Sequence, residues 1–300
     1  ASCRGGVVSI GNFDGVHRGH AELIEYMRSI ARQRGGPAVA FTFDPHPVNL
    51  LRPEQSPAPL TWTERKSELL HDCGADEVVV IHTSMDLLRL TAEEFFERVV
   101  QESLGTLALV EGPSFGFGRN RAGSITTLNR LCATAGIQLK VVDPLEIDGQ
   151  VISSSRVRQF LADGQVEGAA RLLGRPYRVR GQVTTGAGRG ASLGFPTANL
   201  HGTDTVVPGD GVYAARTEFA GQSWPVAAHI GANTTFGEVA RLIEAHLIGF
   251  AGDLVGRTLE IDFLARLRGT QKFDSPAALV EQMRCDVEKA REIALETRRG

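Results

Sequence analysis

The stretch SIGNFDGVHRGHAELIEYM, residues 9–27, contains the pattern that decides the fold of the first half of the chain. An apolar run ends at Ile10, and the turn-forming sequence of residues 11–15 follows it directly. From Leu23 onwards, apolar residues recur at the spacing of one helical face. The order of strand, tight turn and amphipathic helix predicts a βα unit whose helix starts near Val16.

Two histidines, His17 and His20, stand at the predicted start of this helix. If the helix begins near Val16, they lie one turn apart on the same face. A helix N-terminus attracts anions, because it carries free backbone N–H groups and the positive end of the helix dipole. The imidazoles could simply cap the helix, or they could donate hydrogen bonds to phosphate oxygens. With Asn12 and Asp14 in the turn before them, the pattern favours phosphate chemistry.

Composition limits the class of protein. A chain of 300 residues with 42% hydrophobic residues can bury a large core, and this length favours two domains. The net charge of −3 argues against a nucleic acid or an anionic membrane as partner, so we expect a small-molecule partner. The four cysteines are far apart, which argues against a zinc site and a disulfide framework and fits a reducing cytoplasm. No apolar run approaches the ~20 residues of a membrane span, and no signal-peptide pattern is present.

Apolar β-rich runs alternate with helical patterns over residues 1–174. Such alternation is typical of βαβ units, and it predicts an α/β domain with a Rossmann-like parallel sheet. Ligands of open parallel sheets bind beyond the carboxyl ends of the strands, which is where residues 11–20 begin. After the first strand, the expected strands are residues 38–43, 77–82, 107–112 and 139–145.

The pattern changes after the Gly-Arg-Pro sequence that begins at Gly174. Over residues 175–300, short alternating runs are separated by Gly and Pro, which predicts a small antiparallel β-barrel or a sandwich. Residues 275–296 carry apolar side chains at helical spacing, so we expect a terminal helix that packs against the barrel. The predicted domains are therefore residues 1–174 and 175–300.

A second motif, ISSSRVRQFL at residues 152–161, places three hydroxyls and two guanidiniums at a helix start. A serine cluster at such a position is more often a helix cap, although Arg pairs well with phosphate oxygens. HRGH and ISSSRVR together resemble the HxGH and ISSTxxR motifs of the nucleotidylyltransferase superfamily. With GNFDGVHRGH and FTFDPHP (residues 41–47), the first half resembles the FMN adenylyltransferase module of the bacterial bifunctional riboflavin kinase/FAD synthetase family. This resemblance implies that ATP is bound or activated by Asn12, Asp14, His17, His20, Ser154, Ser155 and Arg158, with Ser155 in place of the usual Thr.

The segment EGPSFGFGR, residues 111–119, resembles the flavin-side loop of that family. The family usually has Asn or Asp before FxFG, whereas this chain has Ser114. The shorter side chain either changes the affinity for FMN or reaches it through water. The resemblance also suggests that Asp44 and His46 line the flavin pocket, but Asp-Pro-His-Pro could equally be a structural turn.

In the second half, GAGRGASLGFPTANL (residues 186–200) contains no Walker A motif, because no GKS or GKT follows the glycines. Glycine-rich segments of β proteins are usually only turns, although they can also cradle phosphate. Thr197 and Asn199 offer hard oxygen ligands that suit Mg²⁺ shared with the phosphates of ATP. PTAN resembles the signature of riboflavin kinases, and the candidate phosphate-binding glycines are Gly186, Gly188 and Gly190.

Riboflavin kinases also use a strand glutamate as base, and RLIEAHLIGF places Glu244 at the matching position. Strand alternation sets Glu244 opposite Ile243 and Ala245, so its carboxylate can face a cleft if those two face the core. The alternative is a solvated strand glutamate. One departure is Thr234, which replaces the Pro of the family's GxNPTFG stretch and restores a backbone donor.

The resemblance covers nearly the whole chain and implies two reactions. ATP would phosphorylate riboflavin to FMN in the barrel, and a second ATP would adenylylate FMN to FAD with release of pyrophosphate, with Mg²⁺ as cofactor. Two alternatives stay open: a barrel that binds flavin without kinase turnover, and an RNA-binding HxGH protein. The balanced charge of the second half argues against RNA. We expect no nucleic-acid or membrane partner, and weak self-association is left open.

Overall fold

The computed structural model describes residues 3–186, 189–233 and 240–297. The chain forms two compact units, one of residues 1–57 and 61–153 and one of residues 58–60 and 154–300. Two helices between residues 154 and 173 group with the second unit. The boundary at residue 174 that the sequence indicates remains a prediction.

The first unit contains a five-stranded parallel sheet, as the alternation of patterns predicted. The strand order is β3-β2-β1-β4-β5, so the chain reverses its winding direction beside β1. The carboxyl end of β1 therefore lies at the switch point where open sheets of this kind bind ligands. The strands are β1 (Val7–Ile10), β2 (Ala38–Asp44), β3 (Glu77–His82), β4 (Ala108–Glu111) and β5 (Gln138–Val141).

Helices cover both faces of this sheet, which explains why every residue of the central strands β1 and β4 is buried. Ile24 and Met27 of the first helix pack on one face, and Phe95 and Leu128 pack on the other. The helices are α1 (Arg18–Arg34), α2 (Pro47–Leu51), α3 (Thr63–Asp72), α4 (Met85–Arg89), α5 (Ala92–Phe95), a π-helical stretch (Phe96–Ser103) and α6 (Ile125–Ala135). Single 3₁₀ turns (Pro53–Gln55, Arg119–Arg121) and a short hairpin of β6 (Glu146–Ile147) and β7 (Gln150–Val151) complete the unit.

The second unit contains a closed antiparallel barrel in the order β10-β11-β12-β9-β8-β13. The sequence left a barrel and a sandwich open, and the pairing of β10 with β13 shows that the sheet closes on itself. Closure gives each of the six strands a neighbour on both sides. The strands are β8 (Tyr177–Thr184), β9 (Ala198–His201), β10 (Gly211–Phe219), β11 (Gln222–Asn233), β12 (Ala240–Leu247) and β13 (Thr258–Arg268).

The expected terminal helix packs on the outside of the barrel. Its Ala290 lies in a cluster with Ala214 and Ile248, as the apolar pattern predicted. The pattern did not predict the buried Asp286, which accepts hydrogen bonds from the guanidinium of Arg268 at 2.8–3.2 Å. The helices of this unit are α7 (Ser154–Ala162), α8 (Val166–Leu173), α9 (Arg189–Ser192) and α10 (Pro276–Glu296). Within the described residues, no helix combines the length and the apolar character needed to cross a membrane.

Candidate active sites

The turn after β1 is longer than expected, so the helix that follows it starts later. Helix α1 begins at Arg18 rather than near Val16, because Phe13 and Val16 adopt positive φ angles of 46° and 40° and keep the turn non-helical. His17 is the N-cap, and its Nδ1 accepts the backbone N–H of His20 at 3.3 Å. The capping reading of His17 is therefore correct, and it leaves the imidazole at the helix N-terminus.

The two histidine rings are held against each other. The His17 and His20 rings stack with their centroids 3.6 Å apart and their planes 14° from parallel, and the Phe13 ring lies edge-on to His20 at 5.3 Å. A Cβ on Gly19 would come within 3.3 Å of the His17 ring, which gives the glycine of HRGH a packing role. Two imidazoles fixed at a helix N-terminus can donate hydrogen bonds to a phosphoryl group without reorganising.

Side chains of two other elements hold the turn in place. The carbonyl of Asn12 accepts hydrogen bonds from the hydroxyl of Thr42 at 3.2 Å and the ammonium of Lys66 at 3.4 Å. The Gly15 N–H donates to the Thr61 hydroxyl at 3.3 Å, and Asp14 is buried. Sequence reasoning did not single out Lys66. The available signal was its position on the apolar face of α3, three and four residues before two buried leucines.

The proposed flavin-side residues lie in the same unit. Asp44 ends β2, and the peptide bond between Asp44 and Pro45 is cis. His46 caps α2, because its Nδ1 accepts the Val48 N–H at 3.1 Å, so the reading of this segment as a structural turn holds for His46. Ser114 is exposed in its loop.

A buried acid at the end of β4 escaped the sequence reasoning. Glu111 is 2% exposed, and its carboxyl group accepts the backbone N–H of Ile10 at 2.8 Å. Burial raises the pKa of Glu111 well above that of an ordinary carboxyl group, although the hydrogen bond from Ile10 opposes this shift. The last paired residues of β1 and β4 are Val8 and Leu109. Beyond them, the hydrogen bond between the Glu111 side chain and Ile10 joins the two strands.

The division between the two units falls within the ISSSRVR motif, and Ser154, Ser155 and Arg158 belong to the second unit. Ser154 and Ser155 are the first two residues of α7, so the motif lies at a helix start as the sequence predicted. Arg158 donates from two guanidinium nitrogens to the carbonyl of Ala58, both at 3.3 Å. Their joint action with His17 on ATP remains a prediction.

In the barrel, four polar side chains form one row across neighbouring strands. Residues directly opposite each other in antiparallel strands share a face, and the register pairs Thr184 with Asn199, Asn199 with Glu244, and Glu244 with His229. Ile243, which precedes Glu244 in β12, is fully buried and faces the barrel interior. The row therefore lies on the outer face of the barrel.

The carboxylate of Glu244 is oriented by a neighbour that sequence reasoning missed. Glu244 Oε2 lies 3.1 Å from Nδ1 of His229, and each side chain is about two-fifths exposed. The signal was present in the alternation of β11, where His229 stands between the buried Ala228 and Ile230. A carboxylate that a hydrogen bond orients and that solvent can reach can accept a proton from a bound hydroxyl.

Gly186 packs closely against Asn199 of this row, and Gly190 packs closely against Phe195. A Cβ on Gly186 would collide with the side-chain amide of Asn199, and a Cβ on Gly190 would collide with the carbonyl oxygen of Phe195. At two of the three proposed positions, the neighbouring atoms are therefore so close that only glycine fits. A backbone without side chains at these positions could also approach a phosphate closely. Gly188 and Thr234 lie outside the described residues.

The residues expected to bind a metal suit Mg²⁺ better than a soft metal. Asn199 is 7% exposed, and a Cβ on Gly190 would lie 3.4 Å from Oγ1 of Thr197, so both PTAN residues border the glycine-rich segment. The available donors are a hydroxyl and an amide oxygen, which are hard ligands. Across the described ranges, no group of three or more His, Cys, Asp and Glu side chains could hold a metal ion by itself. Mg²⁺ that takes further ligands from ATP phosphates fits this donor set.

Two family models match the chain, one to each half. The FAD synthetase family matches residues 1–156, and the riboflavin kinase family matches residues 173–294. The chain is 38% identical to the bifunctional riboflavin kinase/FMN adenylyltransferase of Pseudomonas fluorescens over 292 residues, which cover 97% of this chain and 94% of that protein. It is 35% identical to the Escherichia coli protein of the same name, with 96% of this chain and 92% of that protein covered.

A solved structure is similar over nearly the whole chain. It comes from Streptococcus pneumoniae, is described as a macrolide-efflux protein, and matches with a TM-score of 0.88 at 32% identity. The alignment covers 97% of this chain and 95% of that one. The two family models and the curated relatives agree with each other on flavin chemistry.

Proposed function

The chain belongs to the family of bifunctional riboflavin kinases/FMN adenylyltransferases, and we propose which of its residues carry out the two reactions. The protein phosphorylates riboflavin to FMN and adenylylates FMN to FAD, and ATP is the co-substrate of both steps. The proposed domains are residues 1–174 for adenylyl transfer and residues 175–300 for the kinase. We place the protein in the cytoplasm, without a nucleic-acid partner and with at most weak self-association.

In the kinase reaction, Glu244 is the general base. Its carboxylate takes the proton of the terminal ribityl hydroxyl of riboflavin as that oxygen attacks the γ-phosphorus of ATP, and ADP leaves. Thr197 and Asn199 would hold Mg²⁺, which would neutralise phosphate charge. Gly186, Gly188 and Gly190 bind the phosphates of ATP. The observation that supports this assignment is the row in which Asn199, Glu244 and His229 stand directly opposite each other.

In the adenylylation, a phosphate oxygen of FMN attacks the α-phosphorus of ATP, and pyrophosphate leaves. His17 and His20 donate hydrogen bonds to the transferring group, and the turn of Asn12 and Asp14 binds ATP. Ser155 and Arg158 stabilise the transferring group together with the histidines, Ser154 binds ATP, and Asp44 and Ser114 contact the flavin. The stacked imidazoles at the N-terminus of α1 support this assignment most directly.

The barrel geometry favours a catalytic kinase over a barrel that only binds flavin. A binding module does not need a carboxylate hydrogen-bonded to histidine beside an Asn that a glycine-rich segment packs against. The two possibilities can be tested by adding one flavin at a time, because the kinase uses riboflavin and the adenylyltransferase uses FMN.

The test follows flavins chromatographically after addition of riboflavin or FMN to enzyme, ATP and Mg²⁺. We expect E244Q to make no FMN from riboflavin while it still converts FMN to FAD. H20A should make FMN from riboflavin and accumulate it without FAD. A kinase activity in E244Q equal to wild type would refute the proposed base, and normal FAD formation by H20A would refute the proposed adenylyl site.

A further inference from the structure

Lys66 is an unusually buried lysine on α3. It is 8% exposed, whereas lysine side chains are rarely buried unless a partner compensates their charge. Leu69 and Leu70, three and four residues further on, are buried on the same helix. The ammonium group therefore enters the domain on the side of α3 that packs against the sheet.

The partners of Lys66 come from two different segments. Its Nζ donates to the carbonyl of Asn12 at 3.4 Å and to the carbonyl of Phe43 at 3.2 Å. Asn12 lies in the turn after β1, which is proposed to bind ATP. Phe43 directly precedes Asp44 at the end of β2, on the proposed flavin side. Because β1 and β2 are neighbouring parallel strands, one ammonium group can join both segments where the strands end.

Two carboxylates lie close enough to act on this ammonium. Burial lowers the pKa of Lys66, and the negative charges of Asp14 and Asp44 oppose that shift. Both carboxylates belong to segments proposed to meet anionic substrates, where an uncompensated negative charge would repel phosphate. A buried ammonium between the segments offsets this charge without needing to contact substrate.

We infer that Lys66 is a positioning residue of the adenylyl transfer. Its ammonium fixes the ATP-side turn against the flavin-side segment and offsets the charge of Asp14 and Asp44. The inference rests on the proposed roles of these two segments, and it adds Lys66 of α3 to the residues that shape the site.

The test compares K66M, K66R and wild type in FAD formation from FMN and ATP. K140M is the matched control, because Lys140 is an exposed lysine of the same unit that lies over the Tyr26 ring. We expect K66M to raise the KM for ATP at least tenfold and to lower kcat. K66R, which keeps the charge, should return the KM for ATP to within about threefold of wild type. Riboflavin phosphorylation by the same molecules is the internal control and should stay within twofold.

The outcomes separate positioning from a purely structural role. If K66M only lowers the melting temperature, and its folded fraction keeps wild-type constants for ATP and FMN, the inference is overturned. It is also overturned if K66R is as impaired as K66M, since the charge would then not matter. Trp62 fluorescence shows whether the first unit of K66M folds. If it does not fold, K66Q and K66R are compared instead. An active K66R with an inactive K66Q supports the inference, and equal activities of the two variants overturn it.

A parallel H17A variant tests the underlying assignment. If H17A still forms FAD at the wild-type rate, the proposed ATP role of the turn fails, and the role of Lys66 fails with it. If H17A is inactive while K66M matches wild type, only the role of Lys66 fails.

Discussion

The imidazole of His229 and the carboxylate of Glu244 are hydrogen-bonded across β11 and β12, with Nδ1 and Oε2 3.1 Å apart. Their positions are directly opposite in the register, so the strand pairing itself sets their separation. A base that must accept a proton from one hydroxyl benefits from a fixed carboxylate, because a misplaced oxygen lengthens the proton transfer. His229 is thus placed to orient the proposed base of the kinase.

Replacing His229 should lower kinase turnover without abolishing flavin binding. We expect H229L to reduce kcat for riboflavin phosphorylation about tenfold, because a loss of roughly 1.4 kcal/mol of orientation corresponds to that factor. H229N keeps a side-chain N–H donor near Nδ1 and should retain most of the activity. The measurement is steady-state FMN formation, with FMN adenylylation as the internal control. An H229L enzyme with wild-type kcat would show that His229 does not orient the base.

A methyl group at Gly186 should damage the kinase site selectively. The added Cβ of G186A would collide with the Asn199 amide, so either the glycine-rich segment or the proposed Mg²⁺ ligand must move. We expect a rise of at least tenfold in the KM for Mg-ATP in riboflavin phosphorylation, and no change in FAD formation from FMN. The control is G269A, where a Cβ would meet no atom closer than 3.9 Å. Equal kinetics for G186A and G269A would contradict the prediction.

Local pattern was enough to predict most elements of the fold. The strand expected at residues 77–82 is found as β3 at Glu77–His82, because an apolar run between turn residues carries its own boundaries. The four-residue β9 at Ala198–His201 was missed, since so short a strand inside a loop motif shows too little alternation. The start of α1 was misplaced because the positive φ of Val16 depends on the packing of the turn.

The missed site residues have a common physical origin. Lys66, His229 and Glu111 all act through a partner on another element, namely Asn12, Glu244 and Ile10. No spacing along the chain encodes such a contact, because it exists only once the strands are in register. His17 and His20 could be proposed from the sequence because both belong to one local βα unit.

The buried pair of Asp286 and Arg268 should be important for attaching α10 to the barrel. The Asp286 side chain is 6% exposed and accepts from Nε and one terminal nitrogen of Arg268. D286A leaves a largely buried guanidinium without its carboxylate, so we expect the second unit to lose about 3 kcal/mol of stability. Urea unfolding followed by Trp224 fluorescence in a W62F background measures this loss. The control E288Q removes an exposed ion pair of the same helix and should change stability by less than about 1 kcal/mol. Similar losses in both variants would contradict a special role for Asp286.

The buried carboxyl group of Glu111 should make the stability of the first unit depend on pH. Its raised pKa means that the folded state keeps a proton that the unfolded state releases. Stability should therefore fall as the pH rises above the ordinary pKa of a carboxyl group, by up to about 1.4 kcal/mol per pH unit. The fall should end once the pH exceeds the folded-state pKa of Glu111. E111Q keeps an acceptor for the Ile10 N–H but cannot ionise, so its advantage over wild type should grow from pH 4 towards pH 7. Urea unfolding followed by Trp62 fluorescence in a W224F background measures both curves, with E97Q as the control at an exposed position of the same unit. Parallel curves for E111Q and wild type would show that Glu111 does not carry the buried proton.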